Sequence, residues 1–224
     1  MKHIAKIYTD FPDKFGIPRQ SGILHMLKSR IVFEKEYRVP EAIRGIEDWS
    51  HLWLIWEFSE SVRDGFSPTV RPPRLGGNTR VGVFATRAPF RPNPIGLSCV
   101  KLVGVEETQN EGRVLVVTGA DMVSGTPIYD IKPYLPYADS VADASGGFAE
   151  EVYGAKLAVD FPEALLSRLP ESKREAAKIL LADDPRPAVR ANDSERVFGF
   201  RFAGFEIKFT VSDGVLTVTS VEKY

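Results

Sequence analysis

The chain has 224 residues, of which 43% are hydrophobic and 26% charged, and its 29 Lys and Arg nearly balance 30 Asp and Glu for a formal net charge of -1. This composition excludes collagen-like, low-complexity and wholly disordered chains, and the length suits one large or two small domains. The lone Cys99 cannot form an intramolecular disulfide, and the charged, Pro-containing first residues do not resemble a signal peptide. No apolar run approaches the roughly 18 residues of a membrane span, so a cytoplasmic protein without a membrane partner is expected.

The near-neutral total hides an uneven distribution of charge. Residues 1–103 carry 16 Lys and Arg against 10 Asp and Glu, whereas residues 104–224 carry 13 against 20. Between residues 63 and 91 there are six arginines, no lysine and one acid, Asp64. Arginine alone is typical of planar, bidentate recognition of phosphate or carboxylate, although a solvated loop surface would explain the same composition.

Along the first two thirds of the chain, short apolar runs alternate with Pro and Gly clusters. They predict strands at Ile4–Tyr8, Leu52–Phe58, Arg80–Thr86, Ser98–Val105 and Arg113–Thr118, and one short helix at Pro40–Asp48. A doubly wound α/β fold is disfavoured, because its crossover helices cannot form in Pro-rich connections such as residues 70–77 and 87–96. An antiparallel barrel or sandwich fits better.

After the small, Gly-rich residues 142–147 the pattern changes. Residues Pro162–Ala182 have helical periodicity with an expected break at Pro170, and three strands follow at Val197–Phe202, Phe205–Val211 and Val215–Val221. The predicted organisation is a mainly β domain over residues 1–146 and a smaller α+β C-terminal domain over residues 147–224.

Common cofactor and metal motifs are missing from the sequence. There is no Gly-rich dinucleotide fingerprint, no P-loop and no nucleophile elbow, and His3, His25 and His51 lie far apart without a Cys pair, so no metal site is predicted. Special residues concentrate instead in residues 71–98, which include Gly76, Gly77 and several prolines, and in residues 119–140, which hold aspartates and tyrosines. Both stretches suit a preorganised ligand site, but ordinary turns, caps and core edges are the alternative.

Several motifs in one order carry a resemblance to a known family. They are residues 18–20 (PRQ), 48–53 (DWSHLW), 71–78 (RPPRLGGN), 82–87 (GVFATR), 91–98 (RPNPIGLS) and 125–140, together with residues 184–190 near the C-terminus. This order resembles the TsaA-like or TrmO family of bacterial tRNA methyltransferases. The resemblance implies a small antiparallel β-barrel, a homodimer, and S-adenosylmethionine as the methyl donor. It also implies methylation of N6 of threonylcarbamoyladenosine beside the anticodon of threonine tRNA.

The resemblance also implies which residues bind the cofactor. They are Arg19, Gln20, Ser21, Ser59, Glu60, Arg87, Leu97, Thr118, Gly119, Ala120 and Asp121. Ser59 and Glu60 match the family by position only, and Ser124 stands where the family commonly has Asp. Arg19 or Arg87 could hold the cofactor's carboxylate, Asp121 its amino group or hydroxyls, and Leu97 could cover the adenine.

Methyl transfer to a weakly nucleophilic nitrogen calls for a proton acceptor, for which the candidates are Asp130 and Tyr129, then His51. Residues expected to bind the anticodon arm through phosphates or stacked bases are Arg71, Arg74, Arg80, Arg91, Tyr134 and Tyr137. A non-catalytic RNA- or anion-binding module is the alternative function. A hydrolase using Ser50 and His51 is disfavoured, because adjacent strand residues point to opposite faces.

Overall fold

The computed structural model describes residues 1–72, 75, 79–151, 154, 156–186, 193 and 196–224. The strands are β1 (Ala5–Tyr8), β2 (Lys28–Phe33), β3 (His51–Glu57), β4 (Thr69–Val70), β5 (Val81–Gly82), β6 (Ile95–Thr108), β7 (Gly112–Thr118), β8 (Thr126–Pro133), β9 (Ala158–Asp160), β10 (Phe198–Phe202), β11 (Phe205–Ser212) and β12 (Val215–Lys223). The α-helices are α1 (Pro136–Asp139), α2 (Phe148–Glu151), α3 (Glu163–Leu166) and α4 (Glu171–Ala182). This content confirms the prediction of a mainly β protein.

Six strands form one sheet that closes on itself in the order β1-β2-β7-β6-β3-β8, with every neighbouring pair antiparallel. The alternation of β3 explains its place in this sheet, because Leu52, Leu54 and Trp56 are buried and the residues between them face outward. The buried side chains of the six strands enclose one core, which includes Ile7, Ile31, Leu54, Val100, Leu115 and Ile128. Burial of this apolar area holds the sheet closed.

A second sheet has the strand order β10-β11-β12-β9, with β9 parallel to β12 and the other pairs antiparallel. Helix α4 buries Ala176, Ala177, Leu180 and Leu181 along one stripe, as its apolar periodicity predicts. The helical stretch does break at Pro170, which lies directly before α4 and lacks the N–H that a continuous helix would need.

Two predicted elements were wrong. Of the strand predicted at Arg80–Thr86, only Val81–Gly82 is a strand, and Val83–Ala85 forms a 3₁₀ turn. Arg91 donates hydrogen bonds to the carbonyls of Val83 in this turn and of Thr86 directly after it. The helix predicted at Pro40–Asp48 is two 3₁₀ turns, Pro40–Ile43 and Ile46–Asp48, separated by Gly45 in the left-handed conformation. Strands β2, β4, β8 and β9 were not predicted.

The described chain divides into two compact units. The first comprises residues 1–9, 18–70 and 81–144, and the second residues 10–17, 71–80 and 145–224. Residues 10–17 are thus inserted between β1 and β2 yet belong to the second unit. The domain boundary predicted from the sequence, between residues 146 and 147, stays a prediction. Among the described helices, none is long and apolar enough to cross a membrane.

Candidate functional site

The candidate site lies where β6 extends beyond its partner β7. The β6–β7 ladder ends with Lys101 opposite Thr118, and among the described residues no strand pairs with the edge of β6 from Ile95 to Val100 on that side. Loops fill the gap: the Ser21 hydroxyl accepts a hydrogen bond from the Cys99 N–H at 3.2 Å, and Gly22 N–H donates to the Gly119 carbonyl at 2.8 Å. Two predicted cofactor loops, around residue 20 and around residue 120, therefore lie side by side.

Gly119 is needed for this close approach of the two loops. Its φ is +82°, and a Cβ there would lie 3.1 Å from the backbone of Gly22. A side chain would strain the left-handed conformation and push the loops apart.

A buried chain of hydrogen bonds leads from the core to the site. The Trp56 indole N–H donates to Ser98 Oγ at 2.9 Å, and the Ser98 hydroxyl donates to Asp121 Oδ1 at 2.6 Å. Trp56 lies flat against β6 only because residue 96 is glycine, since a Cβ there would lie 2.2 Å from the indole ring. The core thus fixes the orientation of the Asp121 carboxylate.

Asp121 has an unusual pKa for an aspartate. Burial raises the pKa of Asp121 from 3.8 to about 6, although hydrogen bonds from the Ser98 hydroxyl and from the backbone N–H groups of Asp121 and Ser21, together with the charge of Arg87, favour its ionised form. Near pH 7 the group is mainly a carboxylate that is short of solvent. A ligand ammonium or hydroxyl at this position would replace the missing hydration.

Arg87 and Leu97 add a cation and an apolar surface to the same cluster. Arg87 Nη1 donates to Gln20 Oε1 at 2.5 Å, so the hydrogen-bond partner described for this guanidinium is a neutral amide and its charge remains available to an anion. Leu97 is 54% exposed on the outer face of β6, next to buried Ser98. Carboxylate, cation and apolar surface together suit a zwitterionic ligand with an aromatic base, which is the chemistry of S-adenosylmethionine.

The structure brings only part of the predicted cofactor set together. Hydrogen bonds or charge interactions link five of these residues, namely Gln20, Ser21, Arg87, Gly119 and Asp121. The side chains of Thr118 and Ala120 are buried, so these two residues could contact a ligand only through backbone atoms. Of the other predicted cofactor residues, Arg19 is exposed directly before Gln20, and Ser59 and Glu60 lie in the 3₁₀ turn Ser59–Ser61. That turn is held at the same end of β3 and β6, because Phe58 N–H donates to the Pro94 carbonyl at 2.8 Å.

Tyr129 occupies a β-bulge, which explains why two consecutive residues of β8 lie outside the core. Ile55 pairs with Asp130 but Trp56 pairs with Ile128, so Tyr129 is the extra residue of β8. Its phenol is hydrogen-bonded to Glu57. Burial, that hydrogen bond and the charge of Glu57 raise the pKa of Tyr129 to about 12, and Glu57 also contacts His3 Nε2 at 3.0 Å. Tyr129 therefore holds its proton.

Asp130 lies in the same transverse row as the cofactor candidate Leu97. Ile55 of β3 pairs with Asp130 on one side and with Leu97 on the other, so the two residues are two strands, about 10 Å, apart. The Asp130 carboxylate contacts Lys132 Nζ at 2.9 Å and accepts the Ile131 N–H at 2.9 Å. The third candidate, His51, lies four residues along β3 from Ile55, about 13 Å away, and its Nδ1 is 2.9 Å from Ser50 Oγ.

The predicted RNA-binding residues fall in different settings. Arg91 Nη1 donates to the carbonyls of Val83 and Thr86 at 3.0 and 2.7 Å, so this arginine also holds the fold of its own loop. Arg71 and Arg80 are exposed in the second unit, and Arg74, like Gly76 and Gly77, lies outside the described residues. Tyr137 is 86% exposed, whereas Tyr134 is half-buried against Trp53, with ring centroids 5.7 Å apart.

Ser124 has a local structural role. Its hydroxyl accepts a hydrogen bond from the Thr9 N–H at 3.2 Å, and the next residue, Gly125, donates its N–H to the Ile7 carbonyl at 2.7 Å. A serine thus closes the end of β1 at the position where an aspartate could accept the same bond. Within the described parts of the chain, no group of three or more His, Cys, Asp or Glu is placed to hold a metal ion.

Trp56, Gly96 and Ser98 were missed as site residues by the sequence reasoning. Their order in the chain does not show that residues 56 and 96 pair across β3 and β6, since that register follows only from the closed sheet. The one available signal was the small residue Gly96 beside Ser98 in a strand of otherwise bulky residues.

Fold and site together define a mainly β protein whose ligand site is built from loops beside a strand edge. Comparison with known proteins identifies the family to which the chain belongs. Residues 6–140 match the family model of the tRNA-methyltransferase O N-terminal domain, and residues 154–224 match that of the TrmO C-terminal domain. The chain therefore belongs to the tRNA-methyltransferase O family, which confirms the predicted resemblance.

Individual relatives span nearly the whole chain. The Escherichia coli (strain K12) protein named tRNA (adenine(37)-N6)-methyltransferase is 37% identical over 99% of this chain and 97% of its own length. A Pseudomonas aeruginosa protein, named putative S-adenosylmethionine-dependent methyltransferase RcsF, is 40% identical over 91% of this chain and 89% of its own. The crystal structure of TrmO from P. aeruginosa superimposes with a TM-score of 0.77 at 32% identity, covering 99% of this chain and 95% of that one.

Proposed function

We propose that this chain is an S-adenosylmethionine-dependent tRNA methyltransferase that acts on N6 of adenosine 37. The observation that carries the proposal is the site beside β6, where Gln20, Ser21, Arg87 and Asp121 converge next to exposed Leu97. It belongs to a chain whose relatives bear the names of adenine-N6 and S-adenosylmethionine-dependent methyltransferases. Because such enzymes act on tRNA, we place the protein in the cytoplasm.

The cofactor site divides into three chemical parts. Arg87 would bind the carboxylate of the amino-acid end, Asp121 its ammonium group or the ribose hydroxyls, and Leu97 the face of the adenine. When bound, S-adenosylmethionine supplies a methyl group on a sulfonium centre. The Trp56, Ser98 and Asp121 hydrogen bonds fix the carboxylate before the ligand arrives, which reduces the entropy lost on binding.

Asp130 is the proposed acceptor of the N6 proton. Its carboxylate contacts Lys132 Nζ and accepts a hydrogen bond from the Ile131 N–H, and it lies in the same transverse row as Ile55 and Leu97. Tyr129, whose proton is shared with Glu57, cannot accept a second one. Its phenol could only donate a hydrogen bond, so we assign it a positioning role.

A pair of variants tests the assignment of Asp130. Asp130→Asn should abolish methyl transfer while leaving the calorimetric affinity for S-adenosylmethionine unchanged, because the amide keeps the shape but cannot take a proton. Glu106→Gln, which changes an exposed carboxylate of β6, is the control and should keep full activity. Turnover by Asp130→Asn near that of the control would exclude Asp130 as the base.

We further propose threonylcarbamoyladenosine in threonine tRNA as the substrate, bound through the anticodon loop. Its threonyl carboxylate would need a cation, and the arginines between residues 63 and 91 supply several. The test is methyl transfer to threonine tRNA with and without the threonylcarbamoyl group. Transfer to the modified tRNA alone supports this substrate, whereas equal transfer to both contradicts it. Cofactor binding without any transfer would favour a non-catalytic RNA- or anion-binding module.

We propose that the closed sheet is the β-barrel of residues 1–146, followed by an α+β domain over residues 147–224, and that the protein is a homodimer. The support for a dimer is the exposed apolar side chains of β6, where Leu97 and Val103 are 54% and 47% exposed. Val103→Glu should then shift the sedimentation mass from dimer to monomer. A wild-type protein that sediments as a monomer at micromolar concentration would contradict the homodimer.

A further inference from the structure

The connection between β3 and β6 leaves large aromatic side chains in solvent. It runs over residues 58–94, and its described residues form only the two short strands β4 and β5 and short 3₁₀ turns. Within it Phe84 is 71% exposed, Phe66 52% and Phe90 37%. Such a concentration of exposed aromatic area marks a binding surface rather than a random surface composition.

This exposure is built into the loop. The neighbour of Phe84, Val83, is 1% exposed, and its N–H donates to the Pro68 carbonyl at 3.0 Å. Arg91 binds the carbonyls of Val83 and Thr86, and β4 pairs with β5. Because Val83 is buried and the backbone around it is hydrogen-bonded, the Phe84 side chain points into solvent. Little conformational entropy of this loop would then be lost when a ligand binds the ring.

Arginines lie over or beside these rings. The guanidinium carbon of Arg63 is 4.0 Å from the centroid of the Phe90 ring, and that of Arg91 is 5.7 Å from the Phe84 ring. Phe66 and Phe84 have centroids 6.4 Å apart at an interplanar angle of 30°. We call these five residues, Arg63, Phe66, Phe84, Phe90 and Arg91, the aromatic platform. Interleaved rings and guanidinium groups are the composition of single-stranded nucleic-acid sites.

We infer that the aromatic platform stacks unpaired bases of the tRNA anticodon loop next to the target adenosine. Rings bind base faces without regard to sequence, while the guanidinium of Arg63, stacked on Phe90, keeps its edge N–H groups for phosphate. The surrounding residues 62–91 contain six arginines and a single acid, which favours a polyanion over a protein partner. The inference rests on the proposed function and extends it to a defined RNA surface.

Continuity with the candidate cofactor residues supports this location. We call Gln20, Ser21, Arg87, Leu97 and Asp121 the cofactor cluster, and the segment around Gln20 and Ser21 the cofactor loop. Arg87 lies between Phe84 and Phe90 in the chain and is hydrogen-bonded to Gln20 of the cofactor loop. Bases held on the platform would therefore flank a nucleotide that enters the site. An anticodon loop presents such unstacked bases, because its nucleotides are not paired.

The experiment measures RNA affinity and cofactor affinity on the same variants. Binding of an anticodon stem-loop RNA is followed by fluorescence anisotropy over a salt series, and S-adenosylmethionine binding by calorimetry. Phe84→Ala and Phe66→Ala should each weaken RNA binding by roughly 5- to 100-fold, the range for loss of one base stack, with cofactor affinity unchanged. Phe15→Ala is the matched control, since Phe15 is a 47% exposed phenylalanine outside the platform.

Salt dependence separates stacking from charge. Phe84→Ala should keep the slope of log affinity against log salt, whereas Arg63→Gln should reduce that slope by about one phosphate contact. Phe84→Tyr, which keeps an aromatic face, should restore most of the affinity. This rescue would not follow if Phe84 merely supported the loop.

The outcomes distinguish the platform from the enzyme activity. Unchanged RNA affinity in the Phe66→Ala, Phe84→Ala double variant would overturn the platform even if the wild type methylates tRNA. A change in self-association by sedimentation without a change in RNA affinity would also overturn it, in favour of a protein partner. A wild type that binds RNA through the platform but transfers no methyl group would support the inference and contradict the proposed function.

Discussion

Asp121 shows how one residue connects the stability of the fold to its ligand. Its carboxylate is ordered by the Trp56 and Ser98 hydrogen bonds, yet burial raises its pKa to about 6, so the protein holds an incompletely solvated charge. Groups of this kind are costly for folding and useful for binding, because a complementary ligand charge relieves the desolvation. Asp121 is therefore the residue at which we expect stability and cofactor affinity to change in opposite directions.

Asp121→Asn should make the protein more stable at neutral pH. The folded pKa of about 6 lies above the usual 3.8, so from about pH 4 to pH 6 the folded state binds more protons than the unfolded state and the free energy of unfolding falls as pH rises. Asp121→Asn has no titrating carboxylate at this position, so its free energy of unfolding does not fall in this way. We expect it to exceed the wild type by up to about 3 kcal/mol above pH 6, an upper value for a shift of this size. Urea unfolding from pH 4 to pH 8 measures the difference, and a gap that does not change with pH would contradict the raised pKa.

Cofactor binding should depend on the same proton. If Asp121 binds the cofactor's ammonium group or hydroxyls as a carboxylate, protonation below pH 6 removes the charge and affinity should fall about tenfold for each pH unit. Calorimetric titrations at several pH values, in buffers of different ionisation heat, measure this linkage. Asp121→Asn should bind weakly with little dependence on pH between 5 and 7. An identical pH profile in variant and wild type would assign the dependence to another group.

At the scale of elements, the length difference between β6 and β7 creates the site. Had the two strands been equally long, β7 would pair with the edge of β6 that Ser21 now covers. The long strand, the bulge at Tyr129 and the glycine at position 96 are the features that distinguish the proposed site from the rest of the closed sheet. Bulges commonly redirect side chains next to functional sites.

Gly96→Ala should disturb the site without touching a ligand. A Cβ at this position would lie 2.2 Å from the Trp56 ring, so the indole must move and its N–H loses Ser98 Oγ. We expect the protein to lose about 1–3 kcal/mol of stability through overpacking and to bind S-adenosylmethionine more weakly. Thermal unfolding and calorimetry measure both effects. Gly82→Ala is the control, because nothing lies within 4 Å of a Cβ there. Equal behaviour of the two variants would show that Trp56 does not orient the site.

The sequence was most informative where alternation or helical periodicity was regular. Strand β3 and the helix after Pro170 follow directly from their apolar patterns. Strand β8 escaped prediction because the bulge at Tyr129 interrupts its alternation and Pro127 and Pro133 lie within it. The strand predicted at Arg80–Thr86 failed because Arg91, a residue outside the pattern, stabilises a turn there. For the site, motif order predicted the loops, but cross-strand partners such as Trp56 and Ser98 depend on register, which is a tertiary property.

At the scale of the whole molecule, the net charge of -1 is a sum of unlike parts. The excess of basic residues lies in residues 1–103, which carry the aromatic platform and the candidate cofactor residues Gln20, Ser21, Arg87 and Leu97. The acidic excess lies in residues 104–224, which carry Asp121. A chain of this kind can bind a polyanion locally while its total charge remains near zero. The boundary between the basic and acidic portions of the sequence differs from the boundary between the two structural units. Residues 10–17 and 71–80 lie in the basic portion but belong to the second unit.

The inserted residues 10–17 are held within the second unit by specific contacts. Phe11 is 2% exposed with its ring centroid 5.7 Å from that of Phe202, the Asp10 carbonyl accepts the Ala203 N–H at 2.9 Å, and Lys173 of α4 forms an ion pair with Asp10. Ser21 of the cofactor loop follows a few residues later in the same connection. One connection thus begins in the core of the second unit and ends in the cofactor cluster.

Phe11→Ala should therefore affect both the second unit and the cofactor loop. Removing a buried phenylalanine costs about 3–5 kcal/mol, and here the loss falls on the core formed with Phe202. We expect faster amide hydrogen exchange in β10 and β11 and, because the connection loses its anchor, at Ser21 and Gly22 as well. Phe15→Ala, at an exposed position of the same segment, is the control and should leave both regions unchanged. If exchange rises in β10 and β11 but not at Ser21 and Gly22, the cofactor loop is ordered by the closed sheet alone, through Cys99 and Gly119.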